Sequence, residues 1–242
     1  MAQYLKKDIL VYLLNLFNMK IKTILVSTLA VATIGTTTQS CLALATSSIG
    51  LSILKQILLG GITKGLGIFG NKNAFLQNDL IVRALPENLR GVYNVLDKIA
   101  PSLTAKGKDY IAQAAVYTVN ISEPILKNAV NSLTAEDVTR VANGGSGAAT
   151  QLLKEKTAQQ IMLAIQPKVD EKLNEFGIVR SINLALQGNN LLGGILGTQQ
   201  GTTGSTSLSR LASEQMVNGL FNIIEEHEKQ NQFQLLDALQ KK

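Results

Sequence analysis

The chain has 242 residues, of which 45% are hydrophobic and 17% charged, with a formal charge of +6. That balance excludes both a disordered chain and a multi-span membrane protein. Aromatic residues make up only 5%, with no tryptophan, so Leu, Ile, Val and Ala must supply the core, which favours helix over sheet and an all-α class.

The positive charge is concentrated at the start. Of the 23 basic side chains, Lys6, Lys7, Lys20 and Lys22 precede residue 41, against a single acid, Asp8, among the 17. Beyond that point the surplus is three, with cations interleaved among acids, and no dense basic stripe of the kind that tracks a phosphate backbone is present in the sequence. Nucleic acid is not an expected partner.

Met19 begins a segment with the layout of an export signal. Lys20 and Lys22 form a positive opening, Ile24 to Gly35 is a short apolar run, and Thr36 to Ser40 is small and polar before Cys41. The apolar run has roughly a dozen residues, and crossing a bilayer as a helix takes about 20. Residues 1–40 therefore read as export signal, with 1–18 a candidate over-called start.

The Ser40-Cys41 junction resembles the lipobox of bacterial lipoproteins, although Thr38 stands where Leu is usual and Gln39 where Ala or Ser is usual. What the resemblance implies is lipid attachment at Cys41, the sole cysteine, and a domain anchored to the envelope membrane facing the periplasm. Ala43-Leu44-Ala45 offers a rival: cleavage after Ala45 would release a soluble periplasmic protein. A third reading makes Cys41 an ordinary small buried hydrophobe. With one cysteine there is no intrachain disulfide.

Residues 41–48 read as a short tether and 49–232 as one helical domain. The Leu-, Ile- and Gly-rich stretch from Ile49 to Phe69 pays for its glycines in helix propensity and needs packing to hold it. Helices are expected over Glu87 to Ala100, over Lys106 to Asn120, and from Pro124 onward. Thr134 and Asp137 have the spacing of a capping box. That helix should stop at Asn143-Gly144-Gly145, and Gly147 should open a longer one. Its apolar stripe is Ala149, Leu152, Leu153, Ile161, Ala164 and Ile165, and Pro167 marks a restart that Gly177 ends. A short helix follows over Ile178 to Gln187, then a Gly/Thr-rich loop at 188–207. The last strong helix runs from about Leu208 to Gln230 on the stripe Met216, Gly219, Leu220, Ile223 and Ile224, and 233–242 reads as a tail.

Four pieces of this order carry a resemblance: Leu85-Pro86; Glu123-Pro124-Ile125 before Thr134 to Asp137; Asn143-Gly144-Gly145 with Ala148-Ala149-Thr150; and Gly219-Leu220-Phe221 followed by Glu228. From about Ile49 to Glu228 they are similar to the bacterial family called domain of unknown function 4197, a set of exported helical proteins. The resemblance implies a helical fold and export, and no reaction. The chain departs from the family pattern at Ser146 and Gly147, where an acidic pair is usual, and at Ala112 to Val116, where a polar Asn-Arg-Ala-Ala-Glu segment is usual.

The turn Gly144, Gly145, Ser146 and Gly147 is the candidate site. A glycine turn at a helix start presents free amides and the positive end of the helix dipole to an anion, or else serves only as a stop and a tight packing turn. It lacks the Gly-Lys-Ser/Thr ending of a phosphate loop. Glu225, Glu226, His227 and Glu228 include metal-ligand types, but without a second histidine they read as a solvated helix end. A serine hydrolase would have to join Ser146 to His227, and the Gly-x-Ser-x-Gly pattern is not completed. The sequence thus leads to an exported, lipid-anchored domain with no cofactor, no metal and no catalytic residues, in a structural or interaction role in the cell envelope, with a protein as a candidate partner. The alternative is an apolar ligand or lipid held between helices, suggested by Ile53 to Phe69 and by Leu191 to Leu196.

Overall fold

A computed structural model describes residues 48–187 and 204–240, all of its regular structure helical. In chain order the helices are α1 (Ser48–Phe69), α2 (Lys72–Gln77), α3 (Asp79–Arg83), α4 (Glu87–Ile99), α5 (Pro101–Asn131), α6 (Ala135–Gly144), α7 (Ala148–Glu175), α8 (Ile178–Gln187) and α9 (Gly204–Gln240). Cys41, the export segment, the Ala43-Leu44-Ala45 site and Leu191 to Leu196 lie outside the described residues.

Four long helices form a closed ring in which α1 packs on α9, α9 on α7, α7 on α5 and α5 back on α1. Neighbours run antiparallel. On one side of α9, Gly65 meets Leu220 and Gly60 meets His227; on the other, Ala149 meets Glu228 while Ser209 reaches Asp170. Tyr110 stacks on Phe176, and Lys172 lies over Tyr117, which fixes α5 against α7 in the same sense. The centre is filled by Leu54, Leu58, Leu126, Leu153, Ile165, Met216 and Ile224, each essentially inaccessible to water. Every such side chain contributes about 2 kcal/mol through burial.

α1 shows why its glycines are tolerated. By length and apolar composition it is sufficient to cross a bilayer, yet it is a core helix here, burying Gly50, Leu54, Ile57, Leu58, Gly61, Ile62, Gly65 and Leu66 along one face. A Cβ on Gly61 would stand 3.2 Å from the Ile224 Cα, and one on Gly65 only 2.6 Å from a Leu220 methyl. The missing side chains let two backbones approach, and the dispersion gained there offsets the propensity lost.

Two proline expectations are corrected. α5 runs unbroken through Pro124, and α7 through Pro167, where the sequence suggested fresh helix starts. Both prolines are exposed, as are Asn120 and Leu163 one turn earlier, so the carbonyls that lose their amide partner face water. The C-terminal helix is also longer than expected, reaching from Gly204 to Gln240 across the end of the supposed loop and most of the supposed tail.

Residues 70–86 carry two helices that hydrophobic periodicity does not reveal. Asn71 caps α2 by accepting from the Ala74 amide, and Asn78 caps α3 by accepting from Leu80 and Ile81. α3 lies across α9 at Gly219, where a Cβ would be 3.2 Å from the Ile81 Cα; Gln215 and Asn222 donate to the Ile81 and Leu80 carbonyls.

Candidate functional site

The capping box at the start of α6 forms as expected. Thr134 Oγ1 accepts from the Asp137 amide, and the Asp137 carboxylate accepts from the Thr134 amide. Burial pushes this carboxyl up, but the Thr134 amide and Lys156 beside it outweigh that and hold it below the ordinary carboxylate range.

α6 ends at Gly144, and the chain reverses through Gly145 (φ 76°) and Gly147 (φ 83°), left-handed values that only glycine adopts at little cost. Gly144 and Gly147 also lack room for a side chain, whereas the Cβ position of Gly145 is open. A Cβ on Gly144 would lie 2.7 Å from that of Ala148, and one on Gly147 3.0 Å from Glu225 Oε1. Gly147 then starts α7 without any side-chain cap of its own.

The free amides at the start of α7 are taken by Glu228. Its Oε1 accepts from the Ala149 amide at 3.0 Å, and its Oε2 accepts from the Thr150 amide at 2.7 Å and from Thr150 Oγ1 at 2.6 Å. Glu228, Thr150 and Ala149 are all buried, and no salt bridge reaches Glu228 among the described residues. Three donors and the positive end of a 28-residue helix replace the water and countercharge that a buried carboxylate otherwise requires. The first turn of α7 therefore holds an anion that belongs to the chain, with donors from Ala149 and Thr150 and none from Gly144, Gly145, Ser146 or Gly147.

This corrects the view of residues 225–228 as a solvated helix end. Glu228 lies four residues beyond Ile224 and eight beyond Leu220, squarely on the buried stripe of α9. A carboxylate in that register was the signal that sequence reasoning passed over. The two family segments noted separately, Ala148-Ala149-Thr150 and the stretch ending in Glu228, turn out to be the two halves of one contact.

Beside the lock lies a half-open cleft of about 370 Å³, lined in part by Arg140, Ser146, Gly147, Gln151, Lys154 and Glu225. Its charged groups have partners: Arg140 pairs with Glu155, Glu225 with Lys229, and Lys154 sits over the Phe221 ring at 6.0 Å. His227 is not part of it. One residue from Glu228 on the same helix, it points toward α1 and packs on Gly60, where a Cβ would be 2.6 Å from Nε2. Burial, and then the charge of Lys64, lower the affinity of its ring for a proton. The structure thus gathers Gly144, Ser146 and Gly147 around one cleft and directs His227 elsewhere.

A family model described as "Protein of unknown function (DUF4197)" matches residues 44–233. The chain belongs to this family. No curated protein and no solved structure match it. The family span takes in both the glycine turn and Glu228, so the whole lock lies within it.

Proposed function

We propose that this DUF4197 protein is a non-catalytic interaction domain of the cell envelope, exported by the segment ahead of Cys41 and held at the membrane by lipid on that cysteine. The observation that carries the interaction role is the use made of Glu228. The helix start that follows the glycine turn gives its Ala149 and Thr150 amides to an internal carboxylate, so these donors serve the fold and not a substrate phosphate or carboxylate. What remains at the surface is the half-open cleft bordered by Arg140, Lys154 and Glu225, suited to a polar protein loop. Ser146 and His227 have different neighbours, which speaks against a hydrolytic pair.

The anchor is tested by mass spectrometry of the mature N-terminus from wild type and Cys41→Ala. Acylated Cys41 at the N-terminus is expected, and an unlipidated chain beginning at Thr46 would overturn it. The interaction role is tested with photo-crosslinking side chains at Ser146 and Gln151 in intact cells. A protein adduct that is lost when Arg140 and Lys154 are both changed to Glu is expected, and no adduct at either position would count against it.

A second reading, a small apolar ligand between helices, is favoured by a cleft of about 260 Å³ between α2, α3, α4 and α5. There Phe75, Val82, Leu85 and Tyr93 surround Gln215, whose Oε1 is buried without a partner. Its size falls just short of the ordinary range of roughly 300–1,000 Å³, which argues for a compact amphipathic molecule with one donor group rather than a lipid. Gain of thermal stability with such a molecule, abolished in Gln215→Leu, would promote this reading over the first.

A further inference from the structure

We infer that the end of the bundle formed by the start of α1 and the outer part of α9 rests on the lipid bilayer, with Ile49 and Phe233 entering the headgroup region. The inference rests on the anchoring of Cys41 proposed above and adds an orientation to it.

Two exposed apolar side chains lie at a similar height at this end. Phe233 is 78% exposed, the most open of the large apolar side chains among the described residues, and Ile49 is 60% exposed. Antiparallel packing brings them to the same level. The register that sets Gly65 opposite Leu220 and Gly61 opposite Ile224, carried outward, puts Ile49 level with residue 236. That is about 5 Å along the axis from Phe233.

The tether decides what covers them. Only residues 42–47 separate Cys41 from Ser48, and fully extended they span roughly 25 Å. A lipid on Cys41 therefore keeps the start of α1, and the adjoining part of α9, close to the bilayer whatever path the tether takes. The end of α5 and the start of α7 lie at this same end of the ring, set back from Ile49 and Phe233 by the register that joins Lys55 to Asn131 and Glu228 to Ala149, and the start of α5 and end of α7 lie at the far one. Leu163, 66% exposed on α7, is level with the region of α9 near residue 214, roughly 28 Å from Phe233.

The chain has no tryptophan, so single substitutions report cleanly. Full-length lipidated Phe233→Trp, Ile49→Trp and Leu163→Trp proteins are reconstituted into vesicles of phosphatidylethanolamine and phosphatidylglycerol, with and without brominated acyl chains. The first two are expected to shift their emission to the blue and lose intensity to bromine, and the third to do neither. Because all three positions are exposed, the variants should keep the helical circular dichroism of wild type, which is checked first. Equal quenching at all three positions, or quenching only at Leu163→Trp, overturns the orientation while acylated Cys41 in the same sample leaves the anchor standing. If Cys41 carries no lipid the anchor fails separately, and the unlipidated Phe233→Trp protein then decides: quenching by vesicles supports the surface, and none overturns it. A blue shift of Phe233→Trp that appears without lipid and grows with protein concentration assigns the patch to a second copy of the chain and also overturns the inference.

Discussion

α9 is held on its two sides by opposite means. Toward α1 the contact is a seam of missing side chains, where Gly61 admits the backbone of Ile224 and Gly65 the side chain of Leu220. Toward α7 it is a buried charge, Glu228, satisfied by two amides and a hydroxyl 78 and 79 residues away. The seam draws on area and close approach, which many apolar sequences can supply. The lock draws on three donors in fixed positions, and a single atom change spoils it.

Removing the lock should therefore cost most. Glu228→Ala leaves the Ala149 and Thr150 donors buried without an acceptor and is expected to destabilise the domain by about 4 kcal/mol, read from the urea midpoint. Glu228→Gln, which turns one oxygen into a donor facing donors, should cost about half as much. A loss below about 1 kcal/mol for Glu228→Ala would mean that water replaces the carboxylate and that the contact is not a lock.

The seam breaks by addition rather than removal. Gly61→Leu must push apart two helices already in contact and is expected to cost about 2–3 kcal/mol. Gly67, on the open face of the same helix with nothing near its Cβ position, gives the reverse sign: Gly67→Ala should stabilise by about 0.5–1 kcal/mol. If both substitutions shift the midpoint the same way, close approach is not what the α1 glycines provide.

Smaller effects sharpen the contrast between local and distant polar contacts. Thr134→Ala removes half of a capping box whose members lie three residues apart and should cost about 1 kcal/mol, well below the Glu228 lock. His227, pressed on Gly60, should give the seam a weak pH dependence. Its affinity for a proton is lower in the fold than the ordinary value of 6.5, so the unfolded chain takes up the proton first. Stability should decline as pH falls below about 6.5 and level off once the folded histidine titrates; His227→Gln should flatten that slope in a thermal melt.

Much of this molecule could be read in advance because its signals are local. Thr134 with Asp137, Gly145, Gly147 and Gly177 mark helix ends by chemistry that acts within a few residues, and the structure puts them where spacing says. Pro124 and Pro167 mislead for a physical reason: whether proline breaks a helix depends on which face it occupies, and that is a tertiary fact. α2 and α3 escape notice because two asparagine caps and a few apolar residues are too short for a period. Glu228 escapes because its partners lie on another helix. Nothing near it in sequence says that it is buried, except that it falls in step with Leu220 and Ile224.

The place of α9 in the chain has a consequence for folding order. It supplies the faces on which α1 and α7 close, yet it comes after them, and after every other described helix, in chain order. Until it arrives, the glycine face of α1 and the first amides of α7 have no partner from it, so the earlier helices are left with an incomplete core. A chain cut short before residue 204 would expose that unfinished core to proteases, and the first amides of α7 gain their buried acceptor only once Glu228 has docked.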